Sequence, residues 1–286
     1  MKSDRHVSLP GTRREIGYQN SGFAGYDLFA SLIHNRSFIS AVAHRDLMSK
    51  YKGAFVGIIW MVGTPAALVL AYGFMIIGVF NMRPEGDGTV ATFVTLWLCV
   101  SLWQFFSEAV GRSASIVSDN ASLVKRSPFP LTALPPAVVM TSSMGLAVSL
   151  VLGLLTQVIF LGVPSASWLL LLSVLPALAL ITLACVYLVA TVGAFSKDIR
   201  YILPLGLTVG MLMSPVLYSS DRVPPALRFV AEFNPIAPVF ETVRAATGDG
   251  QVPWLSLSIM TGVSFLAAVG SFSLYRSNSV EFADVL

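Results

Sequence analysis

From Ser127 to Ser196 the chain carries no Asp, Glu, Lys or Arg. A spanning helix needs only about 20 apolar residues to cross roughly 30 Å of hydrocarbon, so this run is too long for one helix. It divides at Gly162-Val163-Pro164-Ser165, where glycine and proline mark a turn. Composition extends the conclusion to the whole chain. Hydrophobic residues make up 55% and charged residues 12%, with a mean hydropathy of +0.75, whereas a soluble domain carries about 25% charge. The chain faces lipid.

Four more apolar segments complete the count. Ala54 to Phe80 has no charge, Val90 to Ser107 continues past Glu108 to Val117, and Tyr201 to Ser220 and Val252 to Tyr275 follow. The sequence predicts an all-α polytopic membrane protein with six spans at about 54–80, 90–117, 131–161, 168–195, 201–220 and 252–275. An even count places both termini on one side. Fourteen of the Lys and Arg residues fall on that side and four on the other (Arg83, Arg222, Arg228, Arg244), so both termini are expected in the cytoplasm. The net charge of +3 is then a property of cytoplasmic loops and points to no nucleic acid. Arg5, Arg13 and Arg14 are followed by no apolar core, so no cleavable signal peptide is expected. Cys99 and Cys185 lie in apolar runs and read as small buried hydrophobes.

Four regions result: a disordered cytoplasmic tail over 1–35, a helix over 36–52, the six-span domain over 53–276 and a cytoplasmic C-terminus over 277–286. In the second, Phe38, Ile39, Val42, Ala43 and Leu47 form one apolar stripe, with Asn35, Arg36, His44, Arg45 and Lys50 largely off it. That pattern fits an amphipathic helix at the membrane surface or an ordinary juxtamembrane helix. The stretch from Asp221 to Gly250 holds Pro224, Pro225, Pro235 and Pro238 among charged and apolar residues. It reads as two short helices that dip into the outer leaflet and return, packed in protein, or as an external loop.

Enzymatic chemistry finds little material. His6, His34 and His44 all precede the first span, and no Lys lies within a span, so a nucleophile in the bilayer has no base. No His, Cys, Asp and Glu cluster has metal-ligand spacing. Glu108 and Arg112 share a helix face four residues apart, either as a functional ion pair or as an anchor at the cytoplasmic end. A phosphate-binding loop requires Gly-Lys, a dipeptide absent from the chain, so any ATPase is another polypeptide. Spans 1, 3, 4, 5 and 6 carry no acidic or basic side chain, which argues against proton coupling. A pore or a permease driven from outside the membrane remains.

At this point particular runs become informative. RDLMSKYKGAFVGIIW (Arg45 to Trp60), LWQFFSEAVGRSASIVSDNASLVKRSPFP (Leu102 to Pro130), SKDIRYILP (Ser196 to Pro204), SPVLY (Ser214 to Tyr218) and FNPIAPVFETVRA (Phe233 to Ala245) occur in order. Together they resemble the permease subunits of ATP-binding-cassette polysaccharide exporters. These are the type-2 exporters of O-antigen, teichoic acid and related polymers. The resemblance covers roughly residues 36 to 276. It implies a bacterial inner-membrane homodimer with one path between the copies and two cytoplasmic ABC ATPase subunits docked below. It also implies an interface helix before the first span, re-entrant helices before the last, and a lipid-linked glycan as substrate. No cofactor is expected on this chain, since ATP and Mg would reside on the partner ATPase. The rivals are a type-2 exporter of drugs or small lipids, and an envelope assembly scaffold that transports nothing.

The resemblance also implies site residues. Ser118 to Ser127 matches the family's coupling helix, with Asn120, Leu123, Val124, Lys125 and Arg126. Apolar Leu123 and Val124 beside two cations suit a partner groove bearing carboxylates. Lys197, Asp198 and Arg200 match a second cytoplasmic contact, and Lys197 stands where the family usually has Arg. Leu131 and Thr132 follow Phe129-Pro130, where the family often places a charge. Arg45, Asp46, Tyr51 and Lys52 belong to the interface helix, where Arg45 and Lys52 could receive a pyrophosphate headgroup. Tyr72, Phe74, Trp97, Trp103, Phe106 and Tyr218, with Phe105 and Tyr201, are the aromatic candidates for lining a glycan path, or are interfacial anchors and lipid-facing rings. Gly53-x-x-x-Gly57 and Gly206-x-x-x-Gly210 allow close helix approach, and Pro204 and Pro215 bracket span 5.

Overall fold

The structure, a computed structural model, describes residues 24–51, 59–74, 89–124, 130–220, 223, 229, 233–248 and 251–282. Among them every regular element is helical. The α-helices are α1 (Ala24–His34), α2 (Arg36–Tyr51), α3 (Trp60–Gly73), α4 (Thr89–Ser113), α5 (Ile116–Asp119), α6 (Ala121–Val124), α7 (Leu134–Leu161), α8 (Leu171–Phe195), α9 (Ile199–Met213), α10 (Ala237–Thr247) and α11 (Trp254–Asn278). Short 3₁₀ turns at Leu131–Ala133 and Ala166–Leu170 lead into α7 and α8.

The charge-free run folds as the two long helices its composition requires. The 28 residues of α7 extend about 42 Å, and the helix stops at Gly162, whose φ of 85° lies in the left-handed region that glycine enters without strain. Pro164 follows, and the chain returns as α8. Four helical segments are long and apolar enough to cross a membrane: Val90–Ser113, Leu131–Leu161, Ala166–Phe195 and Trp254–Asn278. At the centre is α4, with Val94, Leu98, Cys99, Val100 and Leu102 buried where it packs on α7 and α8. The most extensive pairing is between α8 and α11.

Lipid tails are as apolar as leucine, so close approach and hydrogen bonds must hold such helices together. Both occur here. The Trp97 indole Nε1 on α4 donates to the Ser149 carbonyl on α7 at 2.8 Å. Beside it, Gly153 leaves room for the Trp97 and Leu98 side chains. On α8, Gly193 lies directly against the Ala114 carbonyl, at the break where α4 ends.

Three features differ from the sequence expectations. Residues 24–34, assigned to a disordered tail, form α1. Leu28 is buried there, the Phe29 and Phe265 rings stack 6.1 Å apart, and Arg276 on α11 donates to Asp27 at 3.1 Å. The resemblance does not reach residues 1–35, and this helix holds its place through contacts distant in sequence. Next, helix α9 ends at Met213 rather than Ser220. Ser214 adopts extended geometry, as the residue before a proline prefers, so α9 is a helix of 15 residues and about 22 Å. Finally, α4 stops at Ser113 and the chain turns before α5, short of the expected end at 117.

The helix expected over 36–52 is present as α2. Its stripe residues Ile39, Val42, Ala43 and Leu47 are buried where α2 packs on α7, while Phe38 is exposed. Of the two short helices expected within 221–250, α10 is seen, with Val239, Phe240, Thr242 and Val243 buried against α4, α8 and the Ala166–Leu170 turn. The other falls largely outside the described residues.

Candidate functional site

The richest polar constellation joins α2, the last turns of α4 and the α5–α6 segment. On α2, Asp46 and Lys50 are four residues apart and so share a face. On α4, Glu108 and Arg112 do the same. The two faces meet. Lys50 donates to Glu108 at 2.7 Å, and Arg112 reaches Asp46 at 3.4 Å. Within α4 the Glu108–Arg112 separation is 4.0 Å, the limit of an ion pair. The i,i+4 spacing therefore marks the right residues, but their main partners are on another helix. Arg45 completes the lattice, donating to Asp46 at 2.9 Å and to the Asn120 side-chain oxygen at 2.6 Å.

Asn120 connects this lattice to the segment that resembles a coupling helix. It is buried, and its Nδ2 donates back to the Ile116 carbonyl at 2.8 Å. Ser115 donates to Asp119 at 2.6 Å, closing the same small turn. From α9, Arg200 donates to the Ser118 hydroxyl. The short α5 is thus held from one side by α2 and from the other by α9. Screening limits each exposed pair here to about 1 kcal/mol or less. Asp46, with 12% of its side chain exposed, is the most enclosed charged member and carries two arginines. We term this arrangement the ionic latch.

The remaining site candidates are distributed unevenly. Leu123 and Val124 fall in α6, Tyr51 ends α2 and Tyr72 lies in α3. Lys52, Lys125 and Arg126 lie outside the described residues. Lys197 and Asp198 are exposed just before α9, where the Asp198 carbonyl accepts from the Tyr201 and Ile202 amides. Among the aromatics, Trp97 is committed to the α4–α7 joint. The Tyr218 hydroxyl donates to the Leu212 carbonyl at 3.0 Å. Phe74 and Tyr201 are exposed, and Phe105 is buried.

Trp103 and Phe106 do come together, ring centres 5.5 Å apart. With Gly206 and Gly210 of α9 and Phe233 they line a groove of about 440 Å³. Gly206-x-x-x-Gly210 therefore faces an aromatic wall of the same chain. Sequence reasoning missed the Lys50–Glu108 pair and named Ser118 only as the start of the coupling segment. The signal for Ser118 was weak, because a serine in a polar loop is unremarkable. Lys50 was legible as a cation off the apolar stripe.

Residues 37–247 match the ABC-2 type transporter family. The chain belongs to that family. It is the membrane subunit of a transporter, and permeases of this kind pair with ABC ATPase subunits. Its relatives include the O-antigen export system permease protein RfbA of Klebsiella pneumoniae, 22% identical over 251 residues, covering 86% of this chain and 93% of that protein. Another is the O-antigen export system permease protein RfbA of Myxococcus xanthus, 27% identical over 267 residues, covering 90% and 98%. The match spans α2, the latch, α9 and α10, so every element of the site lies within the family's shared region.

Proposed function

We propose that this ABC-2 permease exports a lipid-linked polysaccharide across a bacterial cytoplasmic membrane. The reading is carried by similarity to O-antigen export permeases along nearly their whole length, in two different organisms. In this reading the permease has six spans, α3 and α9 belonging to the first and fifth, and both termini are cytoplasmic. Two copies enclose one path. No residue of α9 is buried in the single chain, and exposed Tyr201, Leu205 and Leu212 suit a helix that meets a second copy. ATP and Mg bind on two partner ATPase subunits, which receive the segment from Asn120 to Arg126 and the Lys197–Arg200 corner.

The mechanism follows from the latch. Closure of the ATPase dimer displaces the coupling segment. Asn120 and Ser118 transmit that movement to α2 through Arg45 and to α9 through Arg200. Because α9 carries one wall of the Trp103–Phe106 groove, the aromatic surface changes shape as the segment moves. Rings of this kind hold the apolar C–H faces of sugars, while slack packing lets the polymer advance. Arg45 is already paired within the latch, so a pyrophosphate headgroup would compete with Asp46 and Asn120 for it.

The test is reconstitution of the permease and its cognate ATPase in vesicles with a lipid-linked glycan. ATP-dependent translocation of the glycan is the expected result. Transport of small lipids or drugs with no glycan movement would overturn the polysaccharide reading, and ATP turnover with no transport of either would favour a scaffold.

A further inference from the structure

The turn that carries the coupling segment into α7 has an unusual hydrogen-bond problem. Leu131–Ala133 is a 3₁₀ turn, and α7 opens Leu134-Pro135-Pro136. The Leu131 carbonyl accepts the Leu134 amide. The Thr132 carbonyl would normally accept from residue 135 in a 3₁₀ turn or 136 in an α-helix. Both are proline and have no N–H. Thr132 is half-buried, so its carbonyl gains from a donor supplied outside the turn.

Tyr187 supplies it, and Tyr275 adds a tie to the carbonyl before it. Tyr187 on α8 donates its hydroxyl to the Thr132 carbonyl at 3.0 Å, and Tyr275 on α11 donates to the Leu131 carbonyl at 3.2 Å. A third tie comes from α1, where the Ser31 and Thr132 hydroxyls share a hydrogen bond of 3.2 Å. The phenols are not free to swing away. Both side chains are wholly buried, and their rings meet edge-on at 5.4 Å. Phe272 packs on Tyr187 at 5.5 Å and Phe282 on Tyr275 at 5.1 Å.

We propose that Tyr187 and Tyr275 are positioning residues that pin the exit of the coupling segment to α8 and α11, so that its movement drives three helices together. The paired prolines leave the turn dependent on side chains from other helices. In their place, two ordinary helical residues would complete the ladder locally, and the Thr132 carbonyl would no longer depend on α8. The inference rests on the permease–ATPase reading for its driving force, and its test is separable from that reading.

Tyr187→Phe keeps the ring and removes one donor, and Pro136→Ala returns a backbone N–H within reach of the Thr132 carbonyl. In the reconstituted complex, Tyr187→Phe should lower glycan exported per ATP about threefold to tenfold, the scale of one hydrogen bond. Because Pro136→Ala restores the donor but not the tie to α8, the Tyr187→Phe/Pro136→Ala double variant should recover thermal stability while export per ATP stays low. Full recovery of export would reduce the tyrosine to a structural role and overturn the pin. An unchanged export ratio in Tyr187→Phe would do the same. A readout independent of substrate is the distance between spin labels attached through cysteines at Ala147 on α7 and Ser277 on α11, both exposed, with Cys99 and Cys185 replaced by alanine. It should stay constant through the ATP cycle in the otherwise wild-type chain and vary in Tyr187→Phe. A varying distance in the former overturns the pin even if the complex exports no glycan, which would count against the function reading alone. Should Tyr187→Phe fail to assemble, Tyr275→Phe tests the same pin at a carbonyl that keeps the Leu134 amide.

Discussion

Glycine-to-alanine substitutions along the permease should have graded effects set by what each new methyl meets. At Gly193 a Cβ would lie 2.2 Å from the Ala114 carbonyl oxygen and 2.9 Å from its carbon. Ordinary contact begins near 3.4 Å, so the backbones of α8 and the α4–α5 break must separate by about 1 Å. No rotamer change relieves a clash with backbone. Overpacking of this kind costs about 1–3 kcal/mol, and alanine's advantage over glycine in a helix returns about 1 kcal/mol at most. At Gly153 the nearest atoms are side-chain atoms of Leu98 and Trp97 at 3.1 and 3.2 Å, and at Gly210 the Trp103 ring is 3.3 Å away. Those neighbours can yield by a few tenths of an ångström. At Gly206 nothing lies within 4 Å, so alanine there should be neutral or slightly stabilising. The expected stability order is Gly206→Ala, then Gly210→Ala and Gly153→Ala, with Gly193→Ala lowest. A clash with backbone on both sides takes the upper part of that range, about 2–3 kcal/mol, so the net loss at Gly193 is about 1–2 kcal/mol and the Tm roughly 2–8 °C lower. The assay is thermal unfolding of the detergent-solubilised permease, with export measured alongside. The Ala114 break leads directly into α5, so Gly193→Ala should also weaken the Arg200–Ser118 tie and reduce export. A Gly193→Ala protein with wild-type Tm would refute the close approach, since no compensating movement of two backbones is free.

Other perturbations probe the remaining joints. Asp46→Asn keeps the shape of the latch and removes the charge that two arginines share; a double-mutant cycle with Arg112→Met, read by SDS-driven unfolding in mixed micelles, should give a coupling of about 0.5–1 kcal/mol that shrinks with salt. A coupling indistinguishable from zero at low salt would dissolve the latch. Trp97→Phe removes the donor to the Ser149 carbonyl while leaving most of the ring in place, and should cost about 0.5–1.5 kcal/mol in the same unfolding assay. Charge reversal at Lys125 and Arg126 should leave ATP hydrolysis by the partner running while export falls; wild-type export from that double variant would remove those cations from the coupling contact.

What could be read beforehand divides along physical lines. Charge-free length is a property of composition, and Gly162-Val163-Pro164 is local punctuation, so the α7–α8 pair was legible residue by residue. The length of α9 was legible only in part: apolar residues continue through Val216 and Leu217, whereas the Ser214-Pro215 pair is the local signal that ends the helix. Helix α1 was obscured for a different reason: Asp27–Arg276 and Phe29–Phe265 are contacts between opposite ends of the chain, and no local window contains both partners. The Glu108–Arg112 spacing was a true signal with an incomplete interpretation, since the i,i+4 rule locates neighbours on one helix but says nothing of Lys50 and Asp46 across the way. Pro135-Pro136 falls between these cases. That a carbonyl just ahead of two prolines lacks helical donors follows from the sequence alone, because the missing N–H groups are a covalent fact. That the donor is a phenol from α8, with a second phenol from α11 on the neighbouring Leu131 carbonyl, follows only from the fold. A membrane protein makes the first half informative: neighbouring helices readily complete ladders that the local backbone leaves open, so paired prolines after a half-buried turn favour a polar side chain from another element, and the helix that provides it is joined to the turn.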